Sequence, residues 1–216
     1  MPKFFIDCEF IEGFHKPLFG KRRHFIDLIS IAIVCEDGKE YYAISNEFNP
    51  KDADQWVKDN VISKLPKKNV TWNPQGGESP SMLRAGSLYK SNEAIAYDIL
   101  AFVYPGIAKS FVLAQSEFLH RSKEYGWNAE QPVFYGYFAD YDWVLFCSLF
   151  GRMIDLPKGF PMYCRDLKQR FDEEFNDTIK KHPRYPVQKD EHNALADAKW
   201  NRDLHAFMES YLDEKI

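Results

Sequence analysis

Apolar and polar positions in the first 45 residues follow the pattern of three β-strands. Residues 3–11 (KFFIDCEFI) are an apolar run interrupted by Asp7 and Glu9, which is typical of a largely buried strand. Residues 27–35 (DLISIAIVC) form a second run of this kind. After a Glu-Asp-Gly turn, residues 39–45 (KEYYAIS) return as a third strand. The first third of the chain is therefore predicted to be a β-meander.

The remainder of the chain alternates between helical and strand-like patterns. Helices are predicted over residues 54–65, 91–104, 141–150 and 193–212, and strands over residues 132–137 and 162–167. This order of elements indicates an α/β fold with a mixed sheet, in which the meander is followed by parallel strands and helices cover the faces. We expect a single domain over residues 1–216, with an insertion or expanded region at about residues 70–128.

Composition excludes several protein classes. The 216 residues are 45% apolar and 28% charged, as in an ordinary globular protein. The longest uncharged apolar-rich run covers residues 99–108, whereas a membrane span needs about 20 residues. The N-terminus reaches Asp7 too early for a signal peptide. The four cysteines show neither close pairing nor metal-ligand spacing, so we expect reduced thiols in a cytoplasmic protein that does not bind membranes.

Charge is distributed unevenly along the chain. The net charge is −4, so overall charge gives no support to nucleic-acid binding. Residues 13–26, predicted to be a loop, contain no acid and carry Arg22 and Arg23 among several cations. Residues 178–189 are similarly basic. Both segments adjoin candidate site residues and could reach phosphates; the alternative is that their cations are ordinary charges of solvated loops.

Two acids occupy a strand that is otherwise apolar. Asp7 and Glu9 are two positions apart, so their side chains point to the same face, with Cα atoms about 6.6 Å apart. Two like charges beside a core are unfavourable unless a cation lies between them. A metal site is one interpretation of this pair, and a solvated strand face is the other.

Three further polar residues lie at or near the starts of predicted helices. Asp142 follows the strand at residues 132–137. An acid there is also common as an N-cap or first-turn residue, and Asp140 is an equally good candidate. His192 and Asp197 are five residues apart, which is about 140° around a regular helix. We therefore place His192 on a loop and Asp197 one turn into the helix, facing the sheet.

Together these residues resemble the motifs of the DEDDh 3′→5′ exonuclease superfamily, which has an RNase H-like fold. Asp7-x-Glu9 lies on the first strand, and Asp142 lies in a Gly-x-x-x-x-aromatic-Asp segment that begins a helix. His192 and Asp197 match the H-x4-D pair that distinguishes the DEDDh branch from the DEDDy branch. No single motif is specific, but the three in this order are.

More narrowly, the segments FIDCEFI, DLISI and EYYA resemble a small stand-alone subfamily of bacterial and phage 3′→5′ exoribonucleases. The resemblance covers residues 3–65 and 132–205. The first motif departs from the commoner D-x-E-T-T-G form, because Phe10 and Ile11 replace the Thr pair that typically sits beside the terminal nucleotide. We therefore expect Phe10 and Ile11 to contact substrate in this chain.

The resemblance implies a chemistry and a set of roles. Two divalent cations, Mg²⁺ or Mn²⁺, would be held by Asp7, Glu9, Asp142 and Asp197 and would hydrolyse phosphodiesters. His192 would act as the general base, and nucleoside 5′-monophosphates would leave the 3′ end. Arg22 and Arg23 are candidate phosphate contacts. The partner implied is a nucleic acid with a free 3′ end, RNA rather than DNA, and the pairing of related small exonucleases favours a homodimer.

Two alternatives remain open at this point. One is a 3′→5′ DNA exonuclease of the same superfamily, since the preference for RNA rests on subfamily likeness alone. The other is a nuclease-like scaffold that binds nucleic acid without cleaving it, although the sequence retains all five motif residues. For residues 70–128 the sequence allows a lid, a dimer contact or a substrate platform.

Overall fold

The computed structural model describes residues 1–15, 19–68, 71–72, 86–105 and 130–214. At residues 71, 72 and 86 only the backbone is described. Most of the insertion expected at residues 70–128 therefore lies outside the described part of the chain. Its role stays a prediction, as does the single domain over the whole sequence.

One six-stranded sheet forms the centre of the fold. The described strands are β1 (Lys3–His15), β2 (Arg23–Cys35), β3 (Glu40–Ser45), β4 (Thr71–Trp72), β5 (Gly86–Ser87), β6 (Tyr89–Lys90), β7 (Val133–Gly136) and β8 (Arg165–Asp166). The main sheet has the order β6-β3-β2-β1-β7-β8, and β4 pairs with β5 separately. Neighbours among β1, β2 and β3 are antiparallel, whereas β7 is parallel to β1 and β8 to β7. The predicted meander followed by parallel strands is confirmed.

Helices cover both faces of this sheet. The α-helices of the described residues are α1 (Gln55–Asn60), α2 (Asn92–Val103), α3 (Asp140–Phe150), α4 (Leu167–Glu174) and α5 (Ala194–Asp213). The α2 and α3 helices share one core cluster with β1, and α4 and α5 share another. The architecture is of the predicted α/β class and is consistent with an RNase H-like fold. Among the described residues, none of the helices has the length and apolarity needed to cross a bilayer.

Alternation along β1 distributes its side chains between the two faces. Phe4, Ile6 and Cys8 belong to the core cluster of α2 and α3. Phe5 belongs to the cluster on the opposite face, which contains residues of α4 and α5. Because side chains two apart in a strand share a face, Asp7 lies on the same side as Phe5 and faces α5.

The segment at residues 13–26 is largely strand rather than loop. β1 continues to His15 and β2 begins at Arg23, and these two residues are cross-strand partners. The ring of His15 also stacks on Phe25, with 4.2 Å between ring centroids. Cross-strand pairs of this kind stabilise a ribbon whose sequence is polar. The loop prediction is therefore wrong at both ends of the segment, and residues 16–18 at its tip lie outside the described residues.

Two local elements in the C-terminal half also differ from the prediction. The strand expected at residues 162–167 is reduced to the two residues of β8. Helix α4 follows directly and was not predicted; the carboxylate of Asp166 caps it by accepting the N–H of Gln169 at 2.8 Å. Only Leu167 and Phe171 of α4 are buried, so its apolar stripe is too sparse to give a clear helical period.

Candidate active site

The acids singled out in the sequence line one cleft. The cleft has a volume of about 730 Å³, and its lining includes Asp7, Glu9, Asp142, Asp197 and the imidazole-bearing residue His192. Carboxylate oxygens of three of these acids, on β1 and α5, lie within 4.8 Å of one another. The fold therefore gathers at one place negative charges from opposite ends of the chain.

A backbone contact holds Asp142 against the first strand. Asp142 lies in the first turn of α3 and is only 6% exposed. Its Oδ1 accepts the N–H of Cys8, the residue between the two β1 acids, at 3.0 Å. Asp140 is exposed and does not line the cleft. Since Ala139 holds the N-cap position, Asp142 is not the capping residue of α3.

Asp197 is oriented by the loop that precedes α5. As predicted, Asp197 lies in the first turn of α5 and His192 lies on the loop before it. One carboxylate oxygen of Asp197 accepts the backbone N–H of His192 at 2.9 Å, and the other accepts the side-chain N–H of Gln188 at 2.7 Å. Asn193 caps α5 by accepting the N–H groups of the next turn. These contacts fix the carboxylate plane of Asp197 relative to the sheet.

The loop of His192 is held from a second direction by α1 and the turn after it. Trp56 on α1 meets the imidazole of His192 edge to face, with 4.7 Å between ring centroids. The ammonium of Lys64 donates a hydrogen bond of 2.8 Å to the carbonyl of Glu191. His192 has a left-handed backbone, φ 64°, a conformation that needs such support in a non-glycine residue.

Mutual repulsion and burial keep the acids of the cleft protonated to higher pH than usual. Burial, followed by the neighbouring carboxylates, raises the pKa of Asp7 well above its ordinary value. Burial and the charges of Asp197 and Asp142 raise the pKa of Glu9 to about 8. Burial raises the pKa of Asp142 to about 7, although the Cys8 hydrogen bond opposes this rise. The pKa of Asp197 is also raised, chiefly by burial.

This donor set fits hard divalent cations. It consists of carboxylate oxygens, which Mg²⁺ and Mn²⁺ prefer as ligands. A bound cation would also relieve the repulsion that raises the pKa of these acids, because a positive charge stabilises the ionised form. The acids of the cleft thus offer the oxygen atoms that such ions prefer, and three of them lie close enough together to bind one ion.

Of the two apolar residues expected at the substrate, the structure places only Phe10 at the cleft. Phe10 lines the cleft, and its ring stacks on Tyr141 with 5.5 Å between centroids. Ile11 is 1% exposed and packs in a core cluster with Ile29 and Val61. Alternation puts Ile11 on the face of Glu9, but α1 and the turn after it cover that face at this point of the strand. We therefore correct the expectation for Ile11, whose side chain is part of the core and does not reach the cleft.

The two arginines lie on the β1–β2 ribbon rather than in the cleft itself. Arg22 and Arg23 are both exposed. The guanidinium carbon of Arg22 lies 4.5 Å from the ring centroid of Phe14, and Phe14 lines the cleft. Arg22 therefore stands at the outer edge of the site, and Arg23 pairs with His15 at the end of the ribbon.

Sequence reasoning missed three residues that support the site. Asn201, on α5 one turn after Asp197, is 1% exposed and donates a 3.0 Å hydrogen bond to the carbonyl of Ile6. Its spacing from Asp197 in an amphipathic helix is a signal that could have identified it. Gln188 and Lys64 carry no comparable signal. Gln188 lies on a loop, nine residues before its partner Asp197, and Lys64 binds the backbone carbonyl of Glu191, which is 127 residues away.

Comparison with known proteins adds an independent line of information. The model of a family described as "3'-5' exoribonuclease Rv2179c-like domain" matches residues 3–208. The chain is similar to the 3'-5' exoribonuclease Rv2179c of Mycobacterium tuberculosis (strain ATCC 25618 / H37Rv), with 30% identity over 197 residues. The same values hold for the 3'-5' exoribonuclease MT2234.1 of strain CDC 1551 / Oshkosh. In each case the match covers 91% of this chain and 87% of the relative.

Proposed function

This chain belongs to the family of Rv2179c-like 3′-5′ exoribonuclease domains, and we propose that it is a metal-dependent 3′→5′ exoribonuclease of the DEDDh type. It degrades RNA from a free 3′ end and releases nucleoside 5′-monophosphates. The relatives named above are exoribonucleases, which favours RNA over DNA as the substrate.

One observation carries the proposal beyond family membership. Asp7, Glu9 and Asp197 present carboxylate oxygens within 4.8 Å of one another in an open cleft, an arrangement that repulsion opposes unless cations bind. Asp142 lines the same cleft. We assign these four acids as ligands of two divalent cations, Mg²⁺ or Mn²⁺, which when bound neutralise charge on the scissile phosphate and promote attack by water.

His192 is the general base in this proposal. An imidazole is suited to accept a proton from water near neutral pH, at one of its ring nitrogens. The backbone N–H of His192 donates to Asp197, which ties this residue to a proposed ligand, and its imidazole meets Trp56 edge to face. These contacts support a fixed position of the imidazole in the cleft.

Phe10, Arg22 and Arg23 bind the RNA strand in this proposal. Phe10, which stacks on Tyr141 beside the acids, contacts the terminal nucleotide. Arg22 and Arg23 project from a ribbon that continues beyond the pairing of β2 with β3, and they contact phosphates upstream of the 3′ end.

The Arg22→Ala/Arg23→Ala double variant should bind RNA more weakly and with a smaller salt dependence. Each lost phosphate contact is expected to reduce the slope of log K against log salt by roughly 0.7 for a single strand. Fluorescence anisotropy at several salt concentrations measures this slope. The Lys39→Ala/Arg152→Ala variant removes the same charge from surface turns and serves as the control. An unchanged slope in the ribbon variant would place the arginines away from the RNA.

Divalent cations should stabilise the fold, and more so at pH 8 than at pH 5.5. Because the folded-state pKa of Glu9 is about 8 against an ordinary 4.5, the folded protein binds more protons than the unfolded chain between these values. The stability of the ligand-free protein therefore falls as pH rises through this window. Cations at 100 times their Kd add about 2.7 kcal/mol, or roughly 5–10 °C in Tm for a chain of this size.

Differential scanning fluorimetry with Mg²⁺ and Mn²⁺ at both pH values measures this effect. Glu9→Gln removes one charge of the cluster, so it should raise the Tm of the ligand-free protein at pH 8 and reduce the response to cations. If the parent protein responded equally at both pH values, or not at all, the assignment of the acids as ligands would fail.

The activity itself is tested with matched RNA and DNA oligomers labelled at either end. We expect stepwise shortening of 5′-labelled RNA, immediate release of a labelled monophosphate from 3′-labelled RNA, and slower cleavage of DNA. Mg²⁺ or Mn²⁺ should support the reaction and EDTA should stop it. Tight RNA binding without cleavage in any of these conditions would instead favour the scaffold alternative.

We also propose a homodimer, which the family resemblance implies, and a cytoplasmic location, which the cysteines without close pairing favour. Light scattering on the purified chain gives the oligomeric state, and a mass of a single 25.4 kDa chain would exclude the dimer. Fractionation of cells with an antibody against the protein tests the location.

A further inference from the structure

Phe138 is a bulky aromatic residue held in an unfavourable backbone conformation beside the acids. Its φ is 56°, in the left-handed region that residues of this size seldom adopt. Its side chain is 65% exposed and lines the cleft that contains Asp142. Neither the conformation nor the exposure is explained by packing in a core, so both observations call for a role of this ring in the cleft.

The surrounding structure holds the turn at Phe138 from several sides. The carboxylate of Asp166 accepts the N–H of Ala139 at 2.6 Å. Tyr137 is anchored by an edge-to-face contact with Trp200, with 5.0 Å between centroids. Gly136 allows close packing, since a Cβ at that position would lie 2.8 Å from the Cβ of Ala139. These contacts leave the ring of Phe138 outside the packed interior while its two neighbours are fixed.

We propose that Phe138 is a substrate-binding residue that stacks on an RNA base within the last two nucleotides of the 3′ end. This inference rests on the proposed function, because the cleft must receive a single-stranded 3′ end. Every base has a flat π face, so an exposed ring beside the proposed cation site provides sequence-tolerant affinity. The rings of Phe10 and Tyr141 already stack on each other. The ring of Phe138 meets Tyr137 edge to face, with 4.9 Å between centroids, and lies 6.0 Å from the Lys168 ammonium, yet it remains 65% exposed.

Because the backbone of Phe138 is strained, the Phe138→Gly variant distinguishes a role of the ring in RNA binding from a role in stability. Phe138→Gly removes the backbone strain, because glycine adopts positive φ without steric cost, and it removes little buried surface. The ligand-free variant should therefore keep or slightly raise its Tm. Its affinity for RNA should nevertheless fall by roughly 5- to 100-fold, the range expected for loss of one base–aromatic stack.

A double-mutant cycle between the ring and the base tests the proposal. All proteins carry Asp142→Asn, which removes one proposed cation ligand so that the RNA is not cleaved during the measurement. Binding is measured by fluorescence anisotropy with Mg²⁺ and three RNA oligomers: unmodified, abasic at the 3′-terminal position, and abasic at the penultimate position. Parent and Phe138→Gly proteins are compared on each oligomer. For one of the two abasic oligomers we expect the two proteins to differ by less than about twofold, because the stacking partner is missing.

Further variants separate the ring from the backbone. Phe138→Tyr keeps a ring and should bind like the parent, and Phe138→Asn, which tolerates positive φ, should bind like Phe138→Gly. Tyr163 is 61% exposed but lies outside the cleft, so Tyr163→Ala is the matched aromatic control and should bind normally.

Equal binding by parent and Phe138→Gly, or an equal loss on all three oligomers, would overturn the proposal. Its failure is distinguishable from failure of the proposed function. If the protein without the Asp142 substitution does not cleave RNA but the cycle shows coupling, the stacking site stands and the activity does not. Cleavage of RNA without coupling gives the opposite result.

Discussion

Replacing Asp7 with asparagine is expected to abolish RNA hydrolysis while the fold remains intact. Asp7 lies on the central strand and faces α5, and burial, followed by three other carboxylates, raises its pKa. Loss of this carboxylate ligand from the proposed cation site should remove several kcal/mol of transition-state stabilisation, which lowers the rate by roughly 10³-fold or more. Because the substitution also relieves repulsion within the carboxylate cluster, the ligand-free variant should have a higher Tm at pH 8 than the parent.

Two measurements separate this prediction from general damage to the protein. Initial rates on 5′-labelled RNA report the loss of activity, and scanning fluorimetry with and without Mg²⁺ reports both the Tm and the response to cations. Asp203→Asn, at a half-exposed position of α5 paired with Arg202, is the matched control and should change neither. An Asp7→Asn protein with normal turnover would remove the proposed cation site.

Replacing His192 should slow hydrolysis by roughly 10²–10⁴-fold and leave the response to cations nearly unchanged. His192→Asn is the informative variant, because asparagine tolerates the left-handed backbone of this position but cannot act as a base near neutral pH. The backbone N–H that orients Asp197 is retained in this variant. We therefore expect a loss of rate without a loss of the Mg²⁺-induced rise in Tm.

A second variant distinguishes proton transfer from positioning. His192→Ala leaves space beside Trp56, and added imidazole should restore part of its activity if the missing group is a base. Rates measured over a series of imidazole concentrations report this rescue. If the His192 variants instead lost their response to cations, the residue would act on the cation site and the assigned role would be wrong.

How far the sequence predicted the site is best seen from individual residues. Asp7 and Glu9 were placed on one face because strand geometry has a period of two, and the structure has them there. The positions of His192 before α5 and Asp197 inside it followed from helical geometry. Ile11 shares the face of Glu9, and the sequence does not reveal that α1 and the turn after it cover this face beyond Glu9.

Other features of the site were outside the reach of sequence patterns. Asp140 competed with Asp142 on the local pattern, and only the family motif favoured Asp142; that the N–H of Cys8 holds its carboxylate was not visible in the sequence. Helix α4 has too few buried residues to give a period, yet its capping residue Asp166 also holds the turn at Phe138. Such contacts join residues that are far apart in the chain, and spacing carries no information about them.

The sequence alone determined the chemical types in the site, the strand face of the first two acids, the meander and the alternation that gives an α/β fold. These follow from stereochemistry acting over a few neighbouring residues. Tertiary packing decided how Asp142 is held in the cleft, which apolar residue after Glu9 is core, and how Asn201, Lys64 and Asp166 support the site. Those outcomes depend on which surfaces meet in the folded chain, and only the packed structure defines them.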